Sequence, residues 1–141
     1  MDGRTVSLAT RRRVGWACFS GGALILAFWG IQLSGALETG TADARIGVFE
    51  SAFPVADGVL GAALVASGIA LFRGRPAASP LLVAAAAMTL YLGLLDVTFF
   101  SGHGLYLPLS GATAFELMIN LACLAGGATG LRVGWRLWRE A

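Results

Sequence analysis

Four long apolar runs, each nearly free of charge, constrain the fold of this sequence more than any other feature. The run at 80–100, for example, holds a single charged residue, Asp96. About 20 apolar residues are enough for a helix to cross the hydrocarbon core of a bilayer, and each run reaches that length. Since 57% of the 141 residues are apolar, we predict one integral membrane domain over residues 1–141.

The predicted fold class is all-α, a bundle of four transmembrane helices. Pro54 falls in the first turn of the second helix, where its missing N–H costs little. Ser79 is expected to cap the third helix, with Pro80 at its first helical position. The predicted helices cover residues 14–37, 52–72, 80–100 and 112–138.

Two further segments affect how the first half of the chain is interpreted. The first apolar run is too long for the apolar part of a usual signal peptide, so we expect it to remain as a helix. The loop 38–51 is long enough to carry a short interfacial helix through Ile46, Val48 and Phe49.

Arginine supplies every basic position, because the sequence has no lysine, and its distribution predicts the orientation. Nine of the ten arginines lie in the N-terminal lead, the 73–75 turn and the C-terminal tail, and only Arg45 falls on the other side. Arginine-rich segments remain cytoplasmic in multi-pass proteins. We therefore predict both termini inside (N-in/C-in) and both longer loops outside, in a bacterial inner (plasma) membrane whose bilayer is the main partner.

Small residues recur along each run and predict how the helices pack, because lipid gives apolar helices no hydrophobic reason to associate. Small side chains let two backbones approach closely, so we expect a tight bundle. A stripe left uncovered would suit a second copy of the chain, which keeps a homo-oligomer open. The small residues, in helix order, are Gly15, Gly21, Gly22 and Gly30; Gly58, Ala62, Ala66 and Ala70; Ala85, Thr89 and Gly93; and Gly126, Gly127 and Gly130.

Each predicted helix also carries one polar side chain at nearly the same depth, about 6–7 Å from its outer end at a rise of about 1.5 Å per residue. These side chains are Gln32, Asp57, Asp96 and Glu116. Asn120 shares the face of Glu116, because residues four apart stack on a helix. Several carboxylates in one low-dielectric layer cannot all ionise without a compensating cation. The spacing therefore predicts an acidic pocket in the outer half of the bundle.

Three residues nearer the loops are expected to form the rim of this pocket. Glu50 shares a helix face with Asp57, and His103 and Tyr106 lie in the loop that would cover the layer. The predicted ligand-binding residues are therefore Asp57, Asp96, Glu116, Asn120, Glu50, Gln32, His103 and Tyr106.

Simpler interpretations remain open for the same residues. Thr113 and Glu116 match the spacing of a capping box, in which the carboxylate only satisfies the helix start. Asp57 and Asp96 can reach headgroup water, although an anion near a helix C-terminus such as Asp96 is unfavourable and needs compensation. His103 between two glycines is typical of an exposed turn, and Gln32 of a hydrogen bond between helices.

Three functions fit the predicted layer. It can bind a small amphipathic or cationic ligand, catalyse proton transfer on a lipophilic substrate as an isomerase-like acid–base enzyme, or act as internal polar glue in an accessory subunit. A divalent cation on Asp57, Asp96, Glu116 and His103 is a weaker alternative, so no metal site is predicted. Cys18 and Cys123 form no CxxC pair, no cofactor motif is recognisable, and nothing indicates nucleic-acid binding.

Four segments of this sequence resemble the skeleton of a group of uncharacterised small four-helix bacterial integral membrane proteins. The resemblance covers Glu50 to about Arg132 and implies the four-helix fold without a function. More loosely, the fold is similar to that of the sterol isomerase and sigma-2 receptor family, which implies acidic residues in a membrane-embedded ligand cavity. The four segments are Phe53-Pro54-Val55-Ala56-Asp57, Gly93-Leu94-Leu95-Asp96-Val97, His103-Gly104-Leu105-Tyr106 and Glu116-Leu117-Met118-Ile119-Asn120.

Overall fold

The computed structural model describes residues 6–35 and 44–140, which form helices and no strand. Four of the five helices are long and apolar enough to cross a membrane, so the predicted all-α four-helix bundle is confirmed. The helices are α1 (Leu8–Leu33), α2 (Ala44–Glu50), α3 (Phe53–Phe72), α4 (Ala78–Gly102) and α5 (Gly111–Glu140), and α2 is the short one.

The first helix begins earlier than the apolar run predicts, because a polar cap and an arginine-containing turn precede that run. The Ser7 hydroxyl accepts a hydrogen bond from the backbone N–H of Thr10 at 3.1 Å, which satisfies one of the free donors of the helix start. The helix ends at Leu33, followed by a turn at Ser34 and Gly35. Residues 36 and 37 of the predicted first helix lie outside the described residues.

Ser79 does not cap the third membrane helix, contrary to the sequence-based prediction. That helix, α4, begins one residue before Ser79, and its N-cap Ala77 makes no side-chain hydrogen bond. The Ser79 hydroxyl is buried and donates instead to the carbonyl oxygen of Gly134 on α5 at 2.9 Å. The Ser79 hydroxyl therefore links α4 to α5 instead of capping α4, because Gly134 lets α5 approach within hydrogen-bonding distance.

Helices α1 and α3 pack as an antiparallel pair through glycines. A methyl group added to Gly22 would lie 2.5 Å from the carbonyl oxygen of Gly61, and one added to Gly68 would lie 2.8 Å from that of Gly15. The spacing of seven residues on both helices keeps these contacts on one face. The predicted stripe on the second membrane helix is therefore displaced, since Gly58 has no neighbouring atom within 4 Å of an added methyl group.

Helices α4 and α5 form the second tight antiparallel pair. Added methyl groups on Gly127 and Gly134 would meet Leu90 and Val83 of α4 within 3 Å, whereas one on Gly126 would meet nothing within 4 Å. On α4 the predicted small residues Ala85 and Gly93 are buried, as expected for this interface.

The two pairs join through α3 and α4, so the helices pack in the order α1, α3, α4, α5. All four contribute to one apolar cluster at the end that carries the arginines, which we call the arginine end. There the Arg11 guanidinium forms an ion pair with Glu140 at 2.8 Å, and Glu140 also accepts from the Val6 amide. The buried members of the cluster are Cys18, Ala70, Leu71, Ala78, Leu82 and Leu137.

The predicted interfacial helix is present as α2 at the opposite end of the bundle, before α3. Its Phe49 ring stacks on Phe99 of α4 with ring centroids 3.8 Å apart, and also contacts Phe53 of α3. Aromatic contacts therefore hold the short helix against the membrane helices. A helix of seven residues is not stable through helix propensity alone, so it depends on these contacts.

Candidate functional site

Four carboxylates from four helices lie near one another at the end opposite the arginines. Asp96 interacts electrostatically with Glu116, Asp57 and Glu50, and Glu116 interacts with Glu50 as well. All four side chains are half-buried. We call Glu50, Asp57, Asp96 and Glu116 the acidic layer. The structure therefore places the acids of α2, α3 and α5 within electrostatic range of Asp96 on α4.

Asp57 is held by a tryptophan that sequence reasoning did not select. The indole Nε1–H of Trp29 on α1 donates to Asp57 Oδ2 at 2.8 Å. Close packing of α1 on α3 through Gly22 and Gly61 brings the tryptophan to this level, two turns from the glycine contact. A tryptophan near the end of an apolar run is usually an interfacial anchor, so only the helix pairing identifies this one as a partner of an acid.

Glu50 is the member of the acidic layer that lies outside the membrane-spanning helices, at the last position of α2. Partial burial raises the pKa of its carboxyl group above the usual range, because a charged carboxylate loses hydration there. A carboxyl in this position responds to a neighbouring cation more strongly than a carboxyl in water does.

Glu116 is not the capping residue of α5. The helix begins at Gly111, and its cap is formed by Ser110 and Thr113. The Ser110 hydroxyl accepts from the Thr113 N–H at 3.2 Å, and the Thr113 hydroxyl accepts from the Ser110 N–H at 2.7 Å. This reciprocal cap satisfies the helix start without a carboxylate. Glu116 lies one turn further in and interacts electrostatically with Asp96 and Glu50.

Asn120 is fully buried, with 0% of its surface exposed, in the contact between α5 and α4. A methyl group on Gly93 of α4 would touch Cys123 of α5, so one turn outward Asn120 lies level with Asp96. The Asn120 Nδ2 donates to the Tyr106 hydroxyl at 2.9 Å. Its Oδ1 is also buried, and it accepts no hydrogen bond from the described residues.

Tyr106 belongs to an aromatic cover over this end of the bundle. Its ring lies 5.3 Å from Phe100, which contacts Phe99 in turn. Through Phe99 the cover continues to Phe49 of α2 and Phe53 of α3. The loop after α4 is thereby fixed on the bundle, and the Tyr106 hydroxyl accepts a hydrogen bond from Asn120.

His103 and Gln32 lie differently from the other predicted residues. His103 is exposed, and its Nδ1 is 2.8 Å from the carbonyl oxygen of Phe99, one turn back on its own helix. Its ring stacks at a tilt on Phe99, so it covers the α4 terminus and not the acids. Gln32 is half-buried beside the last residue of α1, Leu33, and so lies nearer its helix end than the predicted helix placed it.

Two surface hollows lie away from the acidic layer. One, of about 500 Å³, is bounded by α2 and the end of α4 and lined by Arg45, Val48, Phe49, Phe99 and His103. The other, of about 270 Å³, lies at the arginine end beside the ion pair of Arg11 and Glu140. None of the four acids lines either hollow.

The packing order places α1 and α5 at its two ends. Each of these helices packs on one inner neighbour, α3 or α4 respectively. Within residues 6–35 and 44–140 they form no comparable interface with each other, and at the arginine end the Arg11–Glu140 ion pair links them. We call this side of the bundle the lateral gap between α1 and α5.

The chemistry available at this layer is that of oxygen acceptors. In the described part of the chain, no three histidine, cysteine or acidic side chains are placed so that they could hold a metal ion. Cys123 also interacts electrostatically with Asp96, Asp57 and Glu116. The Cys123 thiol lies about one turn from Asn120 toward the arginine end, at a position where the sequence indicated only a packing residue.

Comparisons with known proteins give no match to a family model, to a curated protein or to a solved structure.

Proposed function

We propose that this multi-pass membrane protein binds a small amphipathic cation at the acidic layer, in the outer half of the membrane. The observation that carries the proposal is that Asp57, Glu116 and Glu50 all interact electrostatically with Asp96, with no basic side chain of the described residues among its interacting groups. Like charges in a medium of low dielectric repel strongly, and a bound cation relieves that repulsion. The nine-to-one arginine bias supports the orientation, with the layer outside and the host a bacterial plasma membrane.

The lateral gap between α1 and α5 supports an amphipathic ligand. A cationic head reaches the carboxylates while an apolar tail remains among lipid chains, so neither part of the molecule leaves its preferred surroundings. Exposed apolar side chains line α1 on both sides of this level, including Leu26, Phe28 and Ile31.

Binding of a simple amphipathic amine tests the proposal. The protein is reconstituted in phosphatidylcholine nanodiscs, and the dissociation constant of hexylamine is measured by calorimetry, with empty nanodiscs subtracted. We expect Asp57→Asn and Asp96→Asn each to weaken binding at least about tenfold. A charge pair at about 4 Å contributes more than the roughly 1.4 kcal/mol that a tenfold change requires, even at an effective dielectric of about 20.

Two controls separate site binding from partition into lipid. Glu140→Gln removes a carboxylate at the arginine end and should leave the dissociation constant unchanged, and hexanol has the same tail without a charge and should not bind. If the two aspartate variants bind hexylamine as the unmodified protein does, the cation site is wrong. A large loss of stability in both variants without any amine binding would instead support internal polar glue.

A second candidate function is proton transfer on a lipophilic substrate. Asp96 and Glu116 interact across the α4–α5 contact, and two neighbouring carboxyl groups can serve as acid and base. An isomerase-like activity with a bell-shaped pH profile, lost in Asp96→Asn and Glu116→Gln, would favour this function over binding alone.

A further inference from the structure

We propose that the cation bound at the acidic layer carries N–H groups, as in a primary or secondary ammonium, and that Asn120 Oδ1 accepts one of them. This inference rests on the proposed function and specifies the chemical class of its ligand. A quaternary ammonium has the same charge and no N–H, so it can donate neither to Asn120 Oδ1 nor to a carboxylate.

The hydrogen bonds already made by Asn120 indicate a ligand that carries N–H donors. The amide Nδ2 of Asn120 is already used by the Tyr106 hydroxyl, so the side chain has a fixed orientation. Its Oδ1 lies buried and accepts nothing from the described residues. A buried carbonyl oxygen without a donor is costly, and buried polar groups in proteins are satisfied by protein, water or ligand.

The neighbours of Asn120 point to a ligand as the donor. Asp96 lies level with Asn120 on α4, and Glu116 lies one turn away on the same face of α5. These are carboxyl groups, which accept hydrogen bonds when ionised. An ammonium placed between them and Asn120 would donate to a carboxylate with one N–H and to Oδ1 with another. Tight contact of Gly93 with Cys123, one turn further in, closes the site toward the arginine end.

A pair of amines with one tail tests the inference. Hexylamine and hexyltrimethylammonium are titrated into the protein in phosphatidylcholine nanodiscs by calorimetry. We expect hexylamine to bind at least tenfold more tightly, because a hydrogen bond from a charged donor is worth about that factor. In Asn120→Leu the preference should fall about tenfold through weaker hexylamine binding, because the bond to Oδ1 is lost while the bond to a carboxylate remains.

Tyr91→Phe is the matched control, since it removes a hydroxyl from a tyrosine that is 65% exposed on α4 and lies outside the acidic layer. Its preference for hexylamine should remain within about twofold of the original. Equal affinities for the two amines in the unmodified protein would overturn the inference while leaving a cation site standing. Failure of both amines to bind would reject the cation site itself. The comparison in the unmodified protein tests for an N–H donor even where Asn120→Leu does not fold.

Discussion

Asp57 and Asn120 each depend on a single aromatic hydrogen-bonding partner from another part of the chain. Trp29 of α1 donates to the carboxylate of Asp57, and the hydroxyl of Tyr106 accepts from the buried amide of Asn120. In both cases the aromatic ring packs among apolar groups while its polar atom meets a polar side chain, which is the usual use of tryptophan and tyrosine in such places. Individual polar groups in this bundle are thus satisfied across elements.

Replacing Trp29 with phenylalanine should destabilise the protein. The substitution keeps an aromatic ring but leaves Asp57 without its indole donor, which we expect to cost about 1–2 kcal/mol. The free energy of unfolding is measured by SDS titration in mild detergent with far-ultraviolet circular dichroism. Trp138→Phe is the control, because Trp138 is 58% exposed on α5. Equal losses in the two variants would mean that the Trp29–Asp57 bond contributes nothing.

Tyr106→Phe should likewise cost about 1–3 kcal/mol, because it leaves the buried Nδ2 of Asn120 without an acceptor. Tyr91→Phe removes the same hydroxyl from a tyrosine that is 65% exposed on α4, and should change the unfolding free energy by less than about 0.5 kcal/mol. The same SDS titration compares the two. A Tyr106→Phe protein as stable as Tyr91→Phe would contradict the role of the hydroxyl.

At the scale of the helices, glycine determines which faces meet. Gly22 and Gly127 each lie against the backbone of a neighbouring helix, while the adjacent Gly21 and Gly126 have no atom within 4 Å of an added methyl group. The two members of each pair differ in sequence by one position, which rotates a side chain by about 100° on a helix of 3.6 residues per turn. Neighbouring glycines are therefore matched probes of the same interface.

Adding a methyl group should distinguish the members of these pairs. Gly22→Ala and Gly127→Ala each place Cβ within 3 Å of a backbone atom, so we expect losses of at least about 2 kcal/mol as the helices separate. Gly21→Ala and Gly126→Ala should be neutral or stabilising by up to about 1 kcal/mol, because alanine favours the helix. Thermal unfolding in detergent measures all four, and similar values within a pair would rule out this packing.

The start of α5 gives a second test at this scale. Ser110→Ala should lower stability by about 1 kcal/mol, because it removes the hydroxyl that accepts from Thr113. Glu116→Gln should leave the helix start unchanged, since Glu116 is not part of the cap. Hydrogen exchange of the first turn of α5 reports the cap directly. Faster exchange in Glu116→Gln than in Ser110→Ala would restore the capping box predicted from the sequence.

At the scale of the whole molecule, the two ends of the bundle differ in what joins α1 to α5. The arginine end holds the apolar cluster to which all four membrane helices contribute, together with the ion pair between α1 and α5. The opposite end holds the acidic layer and the aromatic cover, and in the described part of the chain α1 packs on α3 and α5 packs on α4.

Labelling of single cysteines tests the predicted orientation. In a protein with Cys18→Ala and Cys123→Ala, a cysteine introduced by His103→Cys should react with a membrane-impermeant maleimide in intact cells. A cysteine introduced by Ala77→Cys should react only after the membrane is permeabilised. Both positions are exposed and lie at opposite ends of α4. The reverse pattern would contradict the orientation taken from the arginines.

Much of the fold follows from composition and length. The four membrane helices, the short helix near Phe49 and the proline in the first turn of α3 are predictable from apolar run length and local residue preference. The helix ends are less predictable. Helix α1 extends back to Leu8, and the Ser79 hydroxyl bonds Gly134 of α5 instead of capping its own helix. A hydroxyl can bond its own helix start or a neighbouring helix, and only the neighbour's position decides which.

The sequence by itself determined that acidic side chains recur near one end of separate apolar runs, because depth along a helix follows from counting residues. The tertiary structure alone decided which of them meet and what they meet. Trp29 reaches Asp57 because glycines let α1 and α3 touch, and Tyr106 reaches Asn120 because the chain folds back after α4. The rotation of each helix about its axis and the choice of its neighbouring helix depend on contacts between residues that are distant in the sequence. Counting residues along one helix gives no information about those contacts.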